Sequence, residues 1–496
     1  MEDGDINVVA HAGTSAGAIV AALAAAGYRA DDLVDFRAGR TIFDTRPSLA
    51  GKRPLDLIKG WGRLRLARAV VAGCASRWVR WLLIALAVVV VGALIATGAV
   101  EWLVLGLSLT VLALVAAALR GLASIEPLRQ ELARMFEAKL GTPDPTFADL
   151  ASRGATPLKV VAANLSTREL ELFSAEATPL VSVADAVIAS ASIPIIFHLP
   201  TIYMDRSLDR GRDGTRESDH DRFCDGGIVS NLPAWLWDEE RALDPTALTV
   251  AVDISSPSRH RRVNTRGWLV PLMSTALFGS GELNLRASGR IERIRLASDL
   301  GLMEFDADRE KVFGQVRSAY DAATVQITRA IIEAPELITG ACGMIRQAAE
   351  EYLIDRFGQA SAGQSSLIER VGFLGVERGL DRTLRLEYQV GFALRPGERP
   401  LIRRDRGAVR QAWENSALCL TRGSGAFSSD PGHVAPGTAA WRLATPLRDK
   451  LFRRVGVLVV DGSFPLDGPV VEQVASDLVE IVDSYLDSEL LSILVS

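Results

Sequence analysis

The chain opens with a short apolar run, Ile6 to Ala10 (INVVA), of the length expected for a buried strand. Gly13-Thr14-Ser15-Ala16-Gly17 follows at once. The alanine-rich run from Ala18 to Ala26, closed by Gly27, then predicts a buried helix with a glycine just past its end. The order is therefore strand, tight turn, helix. Farther on, Leu82 to Val100 carries no charge, Glu101 interrupts, and Trp102 to Leu119 again carries none. Each half is long enough to span a bilayer core as a helix. Arg77 and Arg80 precede the first half and Arg120 follows the second, while Trp78, Trp81 and Trp102 stand at interfacial positions. This pattern predicts a transmembrane helical hairpin over 77–120 with both ends cytoplasmic, hence a multi-pass membrane protein. A helical hairpin buried in a large core is the alternative.

Beyond the hairpin the pattern is mixed. Lys159 to Ala163 (KVVAA) and Leu248 to Ile254 (LTVAVDI) read as buried strands flanked by helical segments, the alternation of an α/β domain. Asp205 to Arg222 is dense in charge and glycine and reads as an exposed loop. Residues 261–340 read as mainly helical. From about 345 the character changes: Leu384 to Leu394 and Val455 to Val460 are strand-like, and Gln473 to Leu486 has helical spacing. The expected organisation is an α/β domain in two parts, 1–76 and 121–340, interrupted by the hairpin and followed by an α+β domain over 345–490.

Composition narrows the function. The chain has 496 residues and a net charge of −5, with acids and bases interspersed, so nucleic-acid binding has no support. Its four cysteines, Cys74, Cys224, Cys342 and Cys419, lie far apart. That spacing supports neither a zinc site nor a disulfide framework and fits a reducing compartment. No metal or cofactor is expected. MEDGDINVVA does not read as a secretory signal.

Candidate chemistry sits at the turn. A serine between glycines on a strand–turn–helix is a nucleophile elbow. Gly13 and Gly17 are expected where side chains would crowd the turn, and the amide of Ala16 at the helix N-terminus is a candidate oxyanion donor. The nucleophile Ser15 needs a base. Of five histidines, His11 precedes the elbow, and His198, His220, His260 and His433 have no evident acid partner. A Ser-His-Asp triad stays open, though nothing marks its histidine. Asp225-Gly226-Gly227 offers another solution: a carboxylate on a turn whose glycines permit close approach, able to take the serine proton directly.

Three motifs together resemble the patatin-like phospholipase family: GTSAG followed by AIVAALAAAGY, the segment AVIASASIPIIFHLP (186–200), and DGGIVSNLP (225–233). The resemblance covers about residues 6–255. It implies a three-layer patatin-like α/β fold, a dyad of Ser15 and Asp225, and hydrolysis of lipid acyl esters, which the expected hairpin would place at a membrane surface. The family's glycine-rich oxyanion loop normally precedes the elbow. Only twelve residues precede Gly13, so that loop is expected to be missing and a start upstream of Met1 is anticipated. The rival expectation is a non-catalytic, membrane-bound sensor or scaffold that keeps the fold.

More weakly, LRLEYQVGFAL, then Arg406 to Ala408 with Gln411 to Trp413, WRLATPLRD (441–449) and GVLVVDG (456–462), resembles a GAF sensor domain. That resemblance implies a small-molecule ligand. A structural or dimerising module is the alternative.

Overall fold

A computed structural model describes residues 6–62, 108, 121–204, 220–243, 247–255, 275, 279, 291–300, 304–358, 366–376, 383–392, 401–403, 407–415, 419–422, 440–448, 454–463, 466 and 470–486. It divides into two units. The first comprises Met1–Leu236, Ser255–Leu285 and Ala297–Ser318; the second comprises Trp237–Ile254, Arg286–Leu296 and Ala319–Ser496.

In the first unit, strand β1 (His11–Thr14) leads through Ser15 into helix α1 (Ala16–Ala25). The run of small side chains lets α1 bury Ala18, Ala22 and Leu23 deep in the core. Its end is a Schellman turn: Gly27, at φ 89°, donates to Ala24 O, and Tyr28 donates to Leu23 O. Ile6–Ala10, expected as the strand, has no regular structure, and the strand begins one residue later. The ladder starts where His11 N–H donates to Pro157 O, and Pro157 has no N–H to carry it back toward Ala10.

The sheet is organised by β2 (Leu158–Asn164), which is buried almost throughout. Strand β3 (Glu169–Phe173) pairs with β2 residues 160–164. Strand β1 pairs in parallel with residues 158–161, Thr14 opposite Val161. Strand β5 (His220–Asp225) pairs antiparallel with residues 162–164, Asp225 opposite Ala162. A strand has two edges, and β3 fills one. Strands β1 and β5 therefore share the other, meeting nose to nose between Val161 and Ala162. Strand β4 (Thr201–Tyr203) extends the sheet beyond β5. Helices α2 (Glu126–Leu140), α3 (Phe147–Ser152) and α4 (Val183–Ala191) complete the core, with Phe136, Phe147, Val183 and Val187 fully or almost fully buried. Each such side chain contributes about 1.5–3 kcal/mol by leaving water.

Leu248–Ile254 is indeed a strand, β6 (Thr249–Ser255), but among the described residues it pairs only with β7 (Ile291–Ala297), and Val252 and Ile254 stay exposed. The stretch 261–340 thus contains a strand as well as the expected helix, α5 (Arg309–Ile327).

The second unit holds a six-stranded antiparallel sheet in the order β10-β9-β8-β13-β12-β11. These strands are β8 (Ile368–Val376), β9 (Thr383–Val390), β10 (Leu401–Arg403), β11 (Cys419–Arg422), β12 (Trp441–Arg448) and β13 (Arg454–Gly462). Helix α6 (Ala334–Phe357) and helix α8 (Val471–Tyr485) cover one face, packing on Val371, Leu443, Leu458 and Val460. Helix α7 (Gly407–Asn415) covers the other, packing Ala408, Val409 and Ala412 against Val457, Val459 and Leu374. The alternation along β13 sorts its side chains between the two faces.

The membrane expectation requires correction. Among the described residues no helix is long and apolar enough to cross a membrane. The hairpin expected over 77–120 lies outside the described residues except for Ser108. The transmembrane hairpin, and the multi-pass membrane localisation that rested on it, are therefore withdrawn, and an α/β arrangement stands without them.

Candidate active site

The head-on meeting of β1 and β5 creates the site. Each chain must leave the edge where the other arrives, so each turns sharply there. Ser15 makes its turn at φ 55° and ψ −127°, a conformation that costs a non-glycine residue about 1–3 kcal/mol. A side chain on Gly13 would put its Cβ 2.4 Å from Gly17 O, so glycine is required there. Asp225 caps a single 3-10 turn, Gly226–Ile228. A Cβ on Gly226 would lie 2.1 Å from Val161 O and 2.9 Å from Thr14 Cγ2. Gly226 is the point of closest approach of the two strand ends.

The result is a direct contact. Ser15 Oγ–H donates to Asp225 Oδ2 at 2.6 Å, and Gly227 N–H donates to Asp225 Oδ1 at 2.8 Å. Asp225 is 1% exposed, whereas Ser15 is half-buried and Ala16 and Gly17 are exposed. Among the described residues no cation pairs with Asp225. Burial pushes its carboxyl from 3.8 up to about 6, against the hydrogen bonds from Ser15 and Gly227, which lower it. A carboxylate so placed accepts a proton near neutral pH.

The amides of Ala16 and Gly17 open α1, where no preceding turn offers them carbonyls. Both residues are exposed, and the positive end of the helix dipole lies at this end of α1. Gly17 is not sterically required: a Cβ there would meet nothing within 4 Å. Among the described residues no histidine hydrogen-bonds to Ser15 or Asp225. His11 lies at the far end of β1, its imidazole held below the ordinary range by burial. His198 N–H serves Ala123 O, and the His220 ring packs edge-on against Tyr203. His260 and His433 lie outside the described residues. Beside Asp225, burial and then the neighbouring carboxylate push the Cys224 thiol up to about 11, which leaves it inert as a nucleophile. No group of side chains among the described residues could hold a metal ion.

Two residues of α4 and its end went unassigned in the sequence. Ser190 Oγ accepts from Ser15 N–H at 2.9 Å and donates to Val161 O at 2.6 Å, and Ser192 O accepts from Asp225 N–H at 2.9 Å. Both fall in the ASASIP segment, whose two serines in an otherwise apolar run were the available signal.

Residues 1–236 match the family model described as patatin-like phospholipase. No curated protein matches. The chain also shows likeness to solved structures. One is a type II free methionine-R-sulfoxide reductase from Thermoplasma acidophilum, 17% identical, covering 30% of this chain and 94% of that one at a TM-score of 0.19. A second is the free methionine-R-sulfoxide reductase from Neisseria meningitidis, 19% identical, covering 35% and 91% at a TM-score of 0.21. A third is the GAF domain of an Acinetobacter phosphoenolpyruvate-protein phosphotransferase, 15% identical, covering 31% and 91% at a TM-score of 0.20.

Proposed function

We propose that the patatin-like part of the chain is a serine acyl hydrolase of lipid esters, with Ser15 as nucleophile and Asp225 as its general base. The observation that carries this reading is the 2.6 Å hydrogen bond from an accessible serine on a strained elbow to a buried carboxylate that has no cation partner among the described residues. The match to patatin-like phospholipase over residues 1–236 points to lipid acyl esters as the substrate class.

The steps follow from the geometry. Ser15 Oγ attacks the ester carbonyl carbon while its proton passes to Asp225 Oδ2. Negative charge develops on the carbonyl oxygen, toward the Ala16 and Gly17 amides at the start of α1. The tetrahedral centre collapses by breaking the bond to the alcohol, which leaves with the proton from Asp225, and an acyl-Ser15 ester remains. Water then attacks that ester, giving its proton to Asp225, and Ser15 departs with the proton returned to Oγ. One ester and one water become one acid and one alcohol, and neither metal nor redox partner enters the balance.

The test uses the full chain with a nitrophenyl ester and a phospholipid dispersed in detergent. Ser15→Ala should abolish turnover and labelling by a fluorophosphonate. The rate should fall with acidity along a limb near pH 6, where protonation of Asp225 removes the base. Turnover that survives Ser15→Ala, or none in the unaltered chain, would overturn the proposal.

A further inference from the structure

The mechanism leaves Ser190 unused, although this hydroxyl is wholly buried and stands between the nucleophile and the central strand. In a parallel ladder, each strand contributes its bonding residues at alternate positions. The β1–β2 ladder opens with His11 N–H on Pro157 O. Continued through the register of Thr14 on Val161, it would next-but-one join Ser15 N–H to Val161 O. Those are the two groups that Ser190 bridges, accepting from the first at 2.9 Å and donating to the second at 2.6 Å. The hydroxyl thus takes the place of a direct rung. It keeps both backbone groups satisfied while Ser15 swings away from β2 into its strained turn.

Two residues on, at the end of the same helix, Ser192 O accepts from Asp225 N–H at 2.9 Å. Ser192 spends its own hydroxyl on Ile188 O at 2.7 Å, so it holds Asp225 only through the backbone. One helical terminus therefore grips the backbone of both partners.

We propose that Ser190 is a positioning residue that holds Ser15 off the β1–β2 ladder and, with the Ser192 carbonyl, sets the distance from Ser15 Oγ to Asp225. The proposal rests on the reading of Ser15 and Asp225 as the reacting pair. Without the hydroxyl, Ser15 N–H and Val161 O are free to close directly on each other. That closure would draw Ser15 toward β2 and loosen its bond to Asp225.

The experiment compares the full chain with Ser190→Ala, Ser190→Cys and Ser190→Thr, using a nitrophenyl ester and a thermal melt. Ser190→Ala should lower kcat by roughly 10- to 100-fold with KM within about threefold, the scale of a small misplacement of reacting groups. Its acid limb should move upward in pH, because the serine bond that favours ionised Asp225 is weakened. A general loss of stability would lower the melting temperature without moving that limb. Ser190→Thr, which keeps the hydroxyl, should recover most of kcat. Should Ser190→Ala fail to fold, Ser190→Cys replaces it with the same expected outcome, since sulfur keeps the volume and bonds only weakly. An unaltered kcat and limb in the folded Ala or Cys variant would overturn the positioning role and leave the hydrolase reading intact. A chain with no Ser15-dependent turnover would overturn both.

Discussion

Each unit has a deeply buried aspartate, Asp225 in the first and Asp461 in the second, and the two are held in opposite ways. Asp225, in the first unit, is 1% exposed and accepts hydrogen bonds from a serine hydroxyl and a backbone amide. Asp461, in the second, is 0% exposed and meets arginines from both neighbouring strands. Arg442 grips it with two hydrogen bonds, at 2.6 and 2.9 Å, and Arg370 Nε lies 3.0 Å away. Sheet register puts them there: Asp461 stands opposite Arg370 on β8 and Arg442 on β12. Burial alone does not make a carboxylate reactive. Paired with guanidinium groups, a buried aspartate is a fixed charge that ties three strands together. Held by neutral donors, with no cation paired to it among the described residues, a buried aspartate is pushed up toward neutral pH.

The largest expected separation between the two is in turnover. Asp225→Asn should reduce ester hydrolysis by about 10,000-fold or more, as fully as Ser15→Ala, because a nucleophile and its base act as a unit. Asp461→Asn should leave turnover within a few-fold at temperatures where the chain stays folded. Equal losses from both changes would erase the distinction.

In stability the order reverses. Asp461→Asn strips the carboxylate from two buried arginines, and breaking such a pair from one side costs about 3–5 kcal/mol. A urea or thermal transition of the full chain should show it plainly. If Asp461→Asn melts with the unaltered chain, the arginines are satisfied otherwise and the tie is not structural.

Asp225→Asn should act the other way. A folded-state value of about 6 above an ordinary 3.8 means that the ionised carboxylate opposes folding. The group's stabilising contribution is fully present below pH 3.8 and lost as pH rises through about 6. At pH 8 the penalty is at most about 3 kcal/mol. Asparagine keeps an acceptor for Gly227 N–H and removes the charge. The variant should therefore melt higher than the unaltered chain at pH 8, with the gain gone at pH 4. A lower melting temperature at pH 8 would show that the carboxylate supports the fold instead of straining it.

These contrasts also mark what the sequence could and could not reveal. Gly13, Ser15, Asp225 and Gly226 were legible because their demands are local: a sharp turn, a strained φ and a close backbone approach each leave a glycine or a short motif behind. Ser190 was not legible as a partner, because its role depends on the register of β1 on β2, which no local pattern encodes. The pairing of Asp461 with Arg370 and Arg442 was hidden for the same reason; along each strand it shows only as one charge among apolar residues. The strand start at His11 instead of Ile6 depends on Pro157, far away in the chain. The hairpin over 77–120 was inferred from apolar length, flanking arginines and interfacial tryptophans, all of them local sequence features.

Gly17 gives the smallest effect and separates motif from mechanics. The sequence pairs it with Gly13 as a flank of the turn, but the two differ physically. Gly13 faces the Gly17 carbonyl at a distance no Cβ tolerates, while a Cβ on Gly17 would point into open space. Gly17 has no left-handed φ, and it lies in the first turn of α1. Alanine is the better helix former and restricts the unfolded chain more than glycine does. Gly17→Ala should therefore stabilise the protein by about 0.4–1 kcal/mol, seen as a small rise in melting temperature. Turnover of a short-chain ester should change little if the space above Gly17 is solvent. If that space instead receives the substrate's acyl chain, the added methyl should raise KM for long-chain esters selectively while the melting temperature still rises. A fall in melting temperature would contradict the open space itself, and with it the claim that only one of the two flanking glycines is demanded by the turn.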